Sequence, residues 1–173
     1  MLKLVLFWGI AFMTTLTFAE NTPQDQSEGE KIHITADRLT TDTEARWADF
    51  IGNVRATQGT TVLTSDRLKI FYKQLSKSDQ EEGPNEASIE RIIASGHVKI
   101  KFENRLAVSE QAVYISDTRV LVLTGPNSKI TSGNNSISGQ KITLYREDGR
   151  ILVEGGTKDR VEAVFYSGES GLK

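Results

Sequence analysis

The chain has 173 residues, 21 lysines and arginines against 23 aspartates and glutamates, and no cysteine. That is one domain's worth of sequence with a net charge of −2, so no polybasic surface proposes nucleic acid or an anionic membrane as the main partner. Without thiols there is no disulfide framework and no thiolate metal site.

The first residues read as a targeting segment. Lys3 supplies a positive charge, residues 4–13 form a short apolar core, and Thr17-Phe18-Ala19 has the small-x-small pattern of a cleavage site. This predicts a secretory signal peptide over residues 1–19, cut before Glu20. Its apolar run is shorter than the ~20 residues a spanning helix needs. Residues 20–30 are polar and are expected to be a disordered leader.

From Lys31 the pattern is that of strands. Ile32 and Ile34 alternate with His33 and Thr35; Leu68, Ile70 and Tyr72 with Lys69, Phe71 and Lys73; Val98, Ile100 and Phe102 with Lys99, Lys101 and Glu103. Period two ending in Gly, Asn, Asp or Ser clusters signals half-buried antiparallel strands. Residues 73–87 are polar, with Gly83-Pro84 ending a weak helical pattern over 76–82, and are expected to form a surface loop. Residues 109–125 read strand, turn at 116–119, strand, then Gly125; Ile142, Leu144, Ile151 and Val153 continue the alternation around a hairpin signal at residues 147–149.

Much of the chain repeats that strand–turn–strand unit. TADRL at 35–39, TSDRL at 64–68, SEQAV at 109–113 and SGQKI at 138–142 open it, and Gly52, Gly96 and Gly125 mark its end. Asp37 to Asp66, Glu110 to Gly139 and Gly96 to Gly125 are each 29 residues apart. Asp66 to Glu110 and Gly52 to Gly96 are both 44 apart; the excess of 15 is the length of residues 73–87, whose removal brings both ladders into register. An internal repeat of short strands predicts an all-β stack, a jelly roll or a solenoid.

No catalytic constellation emerges. Ser138 and Lys141 have a serine–lysine spacing used in acyl transfer, but that motif needs a helical turn and here it opens a strand. The two histidines, His33 and His97, lack a third ligand for zinc, and no phosphate-binding loop is present. Asp37, Asp66 and Glu110 occupy equivalent repeat positions; a carboxylate column for calcium or sugar is one reading, and capping of turn N–H groups is the favoured one. The residues therefore predict no enzyme, no metal and no cofactor.

The segments IHITADRL, GNVRATQGTTVLTSDRLKI, ASGHVKI, VLVLTG and SISGQKITLYREDGR resemble the LptA (OstA-like) family of lipopolysaccharide-transport periplasmic bridge proteins, from about Ile32 to Phe165. The resemblance implies a twisted, open-ended antiparallel β jelly roll (OstA-like) over residues 31–166, with a flexible tail over 167–173. It implies a periplasmic protein of Gram-negative bacteria that shields the acyl chains of lipid A in a hydrophobic groove between the two membranes. Ile32 and Ile34 at the mouth and Tyr114 midway would face that groove; parity along the strands adds Leu68, Ile70, Tyr72, Val98, Ile100, Phe102, Leu121 and Leu123. The strand at residues 31–35 would pair with an upstream copy or an inner-membrane LptC-like component. The strand at 160–165 would pair with the next copy or an outer-membrane LptD-like translocon, giving a head-to-tail oligomer. Lys99, Lys101 and Arg105 are candidates to meet lipid A phosphates, and a solvated strand face is the favoured reading of them. Two alternatives are a membrane-anchored LptC-like component, which would keep its N-terminal segment, and a β-solenoid glycan-binding module or lyase.

Overall fold

The computed structural model describes residues 31–74, 89–157 and 159–166, and among them every regular element is a strand. In chain order these are β1 (His33–Thr35), β2 (Arg38–Asp42), β3 (Trp47–Gln58), β4 (Thr61–Tyr72), β5 (Ile89–Phe102), β6 (Arg105–Ile115), β7 (Val120–Ser132), β8 (Asn135–Tyr145), β9 (Ile151–Glu154) and β10 (Glu162–Val164). The expected turn at 116–119 separates β6 from β7, and the one at 147–149 separates β8 from β9. The terminal strands expected at 31–35 and 160–165 appear as β1 and β10. The expected signal peptide and leader, the tail after Tyr166, and the 73–87 loop beyond Gln74 lie outside the described residues.

All pairings are antiparallel, and neighbours in sequence are neighbours in the sheet from β3 to β8. Two short strands share each terminal long strand: β1 lies on the second half of β3 and β2 on its first half, while β10 lies on the first half of β8 and β9 on its second. The sheet is thus two half-sheets joined through the middles of the six long strands. One half runs from β1 to β10 and the other from β2 to β9.

The joint is where the sequence repeat lies. Register breaks between Ile51 and Val54, Thr64 and Arg67, Ser95 and Val98, Val108 and Gln111, and Thr124 and Ser128. A β-bulge bends and over-twists its strand, and a column of them folds the sheet across its width. The glycine landmarks sit in these bulges. Gly52 and Gly96 have φ +83° and +77°, and a Cβ on either would run into the carboxylate of Asp37 or Asp66; glycine alone meets both demands without strain. Gly125 stands likewise against the Glu110 side chain. The recurring acid is the partner across the bend: Asn53 Nδ2 donates to Asp37 Oδ2 at 2.8 Å, and His97 Nδ1 lies 2.8 Å from Asp66 Oδ2. These carboxylates meet side chains of the bend, whereas the sequence favoured turn N–H groups; the N–H bond at this place is Asp37 N to the Gly52 carbonyl, 2.9 Å. Buried serines follow the same line, with Ser65 Oγ donating to the Arg67 carbonyl at 3.0 Å and Ser128 Oγ to that of Gly125 at 2.8 Å.

Folding at the bend turns one face of each half inward. In the β1–β10 half, one row of paired residues reads Ile34, Ala56, Leu63, Ile100, Ala107, Ile130, Ile137, Ala163 across eight strands. In the β2–β9 half, the row beside the bend reads Leu39, Phe50, Leu68, Ala94, Ala112, Leu123, Ile142, Val153. The next reads Thr41, Ala48, Ile70, Ile92, Tyr114, Leu121, Leu144, Ile151. Residues of both halves join in one core cluster. Each fully buried Leu or Ile in it contributes about 1.5–3 kcal/mol.

Candidate functional site: the apolar groove between the half-sheets

The interior is closed beside the bend and open away from it. Leu123 and Ile142 are 0% exposed and Leu68 is 2% exposed. Farther out, a cavity of about 540 Å³ opens between Ile32, Thr61, Leu63 and Ile100 of one half and Ile92, Ala94, Ala112, Tyr114 and Leu121 of the other. A second space of about 260 Å³ adjoins it, sharing Thr61, Ile100, Leu121 and Arg146 and adding Phe102, Leu144 and Ile151. Together they form a trough across the fold, floored by aliphatic side chains and open along the hairpin turns. Small residues make the room: Ala94 and Ala112 are paired neighbours that separate Leu68 from Leu123 in their row.

Of the residues expected in the groove, Ile32, Ile100, Tyr114 and Leu121 line the larger cavity, and Phe102 lines the smaller. Leu68, Ile70, Val98 and Leu123 face the same interior but are packed shut within the core. Ile34 and Tyr72 are half-buried against that core and lie outside the lining of both spaces; burial raises the pKa of the Tyr72 phenol. Lining residues not singled out from the sequence include Leu63, Ile92, Ala94, Ala112 and Leu144. Leu63 and Leu68, Ala107 and Ala112, and Ile137 and Ile142 all point inward although five residues separate each pair. The bulge between them reverses the parity by which a strand face is read.

The groove's polar groups gather at its rim. Arg119 and Arg146 line it beside Lys73 and Asp117, which form an ion pair with each other. Arg150 stacks on Tyr145, with its guanidinium carbon 4.0 Å from the ring centroid. Arg105, one of the phosphate candidates, reaches the smaller space, whereas Lys99 and Lys101 are exposed on the opposite face of β5.

The outer face of the β2–β9 half is a different surface. Asp49 is buried there and takes a hydrogen bond of 2.8 Å from Arg67 Nε, which holds its carboxyl below the usual carboxylate range. Lys69 Nζ stands 4.2 Å from the Trp47 ring centroid and the Arg91 guanidinium 4.6 Å from that of Phe71. Cations laid over aromatic faces cover much of the apolar area that alternation sends outward.

The profile of the LptA/(LptD N-terminal domain) LPS transport protein family matches residues 33–150. An uncharacterized protein of Rhizobium meliloti (strain 1021) is 28% identical over 128 residues, covering 74% of this chain and 67% of that one. The fold is similar to the crystal structure of LptH from Pseudomonas aeruginosa, described as the LptA homologous periplasmic component of a lipopolysaccharide transport device. The TM-score is 0.67 at 18% identity, over 81% of this chain and 98% of the other.

Proposed function

From a chain that belongs to the LptA/(LptD N-terminal domain) family of LPS transport proteins, we propose a soluble periplasmic bridge that carries lipopolysaccharide between the inner and outer membranes with its acyl chains shielded in the groove. The single observation behind this reading is the continuity of the apolar rows. They cross from β1 to β10 and from β2 to β9 with no charged residue in any of them. Exposing acyl chain to water costs about 0.8 kcal/mol per CH₂, so a multi-chain lipid needs an unbroken apolar path more than it needs a tight pocket. Transport of this kind calls for no covalent chemistry.

The ends of the sheet support assembly. Among the described residues β1 and β10 are each paired along one edge only, and an open edge accepts a strand from a partner. Phe165 and Tyr166, just past β10, are 75% and 69% exposed, an apolar surface suited to burial in a contact. On this reading β1 meets an inner-membrane LptC-like component or an upstream copy, and β10 meets the next copy or an outer-membrane LptD-like translocon. On this reading the lipid contacts are those expected residues that border the open path, Ile32, Ile100, Phe102, Tyr114 and Leu121.

The test is displacement of an environment-sensitive apolar dye from the purified protein. Intact lipopolysaccharide displaces the dye, and the same material stripped of its acyl chains does not. Equal displacement by the deacylated glycan would favour the glycan-binding alternative and sink this one.

A further inference from the structure

Arg119 and Arg146 are brought together at the rim of the groove by the backbone. Arg146 N donates to the Arg119 carbonyl at 3.1 Å, so the two residues extend the β7–β8 ladder by one step beyond the Val120–Tyr145 pair. Like charges set opposite each other on adjacent strands repel. Among the described residues no carboxylate lies within ion-pair distance of either guanidinium. Asp117, the acid that lines the same cavity, is already engaged by Lys73. Glu103 lies across the smaller space, on the opposite half-sheet. Arg119 also holds a left-handed backbone, φ +50°, where glycine or asparagine would be less strained.

Both arginines border the cavity whose inner wall is Ala94, Ala112 and Leu121. The surface therefore passes from aliphatic to doubly cationic within one mouth. An amphiphile with an apolar body and a phosphate head matches that gradient. Two guanidinium forks at one mouth suit the several oxygens of a phosphate monoester better than a single carboxylate.

We propose that Arg119 and Arg146 form an anion clamp that holds a phosphate of the lipid at the rim while its acyl chains lie in the groove. The proposal rests on the lipid-carrier reading above and adds the group that fixes the lipid's depth and register. The clamp makes the protein a reader of lipid phosphorylation as well as of acylation.

The experiment measures binding of bisphosphorylated lipid A and of the same lipid enzymatically dephosphorylated, to the wild-type protein and to the Arg119→Asn/Arg146→Gln variant. Asparagine tolerates the left-handed position, so the variant keeps its turn; circular dichroism and the unfolding midpoint verify that. The wild type binds the phosphorylated lipid roughly tenfold more tightly, the worth of one charge-assisted contact. The variant binds both lipids alike, at the affinity the wild type has for the dephosphorylated one. Arg119→Lys/Arg146→Lys keeps part of the preference. An undiminished preference in the Asn/Gln variant overturns the clamp and leaves the carrier reading intact. Failure of the wild type to bind either lipid overturns both.

Discussion

The two zones of this interior are made from the same kinds of residue and behave differently. Beside the bend, Leu68, Leu123 and Ile142 are sealed within the core; one row outward, Tyr114 and Leu121 stand against open space. The difference is distance from the fold line. Where the half-sheets meet at the bulges they are close enough for side chains to interdigitate, and toward the hairpin turns they part. Stability is thereby concentrated at the bend, and the opposite side is left open.

The largest expected effect comes from truncating the closed zone. Leu123→Ala or Ile142→Ala costs about 2–5 kcal/mol in urea unfolding, because a dry cavity replaces packed methyls. Leu121→Ala, one row outward, costs about 1 kcal/mol, since one side of that residue already faces the cavity. Equal losses at the two positions would erase the distinction between the zones. Next is the bend itself: Gly96→Ala is expected to cost about 2 kcal/mol, from a strained left-handed alanine and its clash with Asp66. Adding Asp66→Ala removes the carboxylate from the clash but leaves the Cβ of residue 66 at 2.8 Å and the backbone strain, so the double variant recovers only part of the loss.

Two smaller effects follow the charges outside the closed zone. Asp49→Asn is expected to lower stability by about 1 kcal/mol at neutral pH, the value of a charge-assisted bond whose guanidinium is half in water. The Asp49 pKa is lowered in the folded protein by the Arg67 hydrogen bond, so this contribution is present above the ordinary carboxylate range and disappears as pH falls through the depressed value. His97 has the opposite sign. Its hydrogen bond to Asp66 raises its pKa, so any stabilisation is complete below the usual histidine value and is lost as pH rises through the raised one. Unfolding midpoints of wild type and His97→Asn are therefore expected to converge toward alkaline pH, with the smallest difference of the set.

The strands, the 29-residue repeat and the inward parity were legible because alternation and landmark spacing are local properties. Leu121 and Ile100 could be placed on the inner face on those grounds, and Tyr114 by the family resemblance. Whether that face is closed or open could not, since Leu123 and Leu121 have the same pattern and differ only in how near the other half-sheet comes. Leu63 escaped notice because the bulge at 65–66 shifts the phase of its strand between it and Leu68. The pairing of Arg119 with Arg146, 27 positions apart, depends on the β7–β8 register, which short-range pattern does not specify.

Consecutive residues of β6 give the most direct test of a lipid path inside the sheet. Tyr114 lines the cavity, and Val113, adjacent to it, lies on the opposite face. A photo-crosslinking amino acid at position 114 is expected to capture lipopolysaccharide in cells, and the same probe at 113 or at Lys69 to capture little. Capture from 113 and Lys69 with none from 114 would place the lipid on the outer surface and contradict the account.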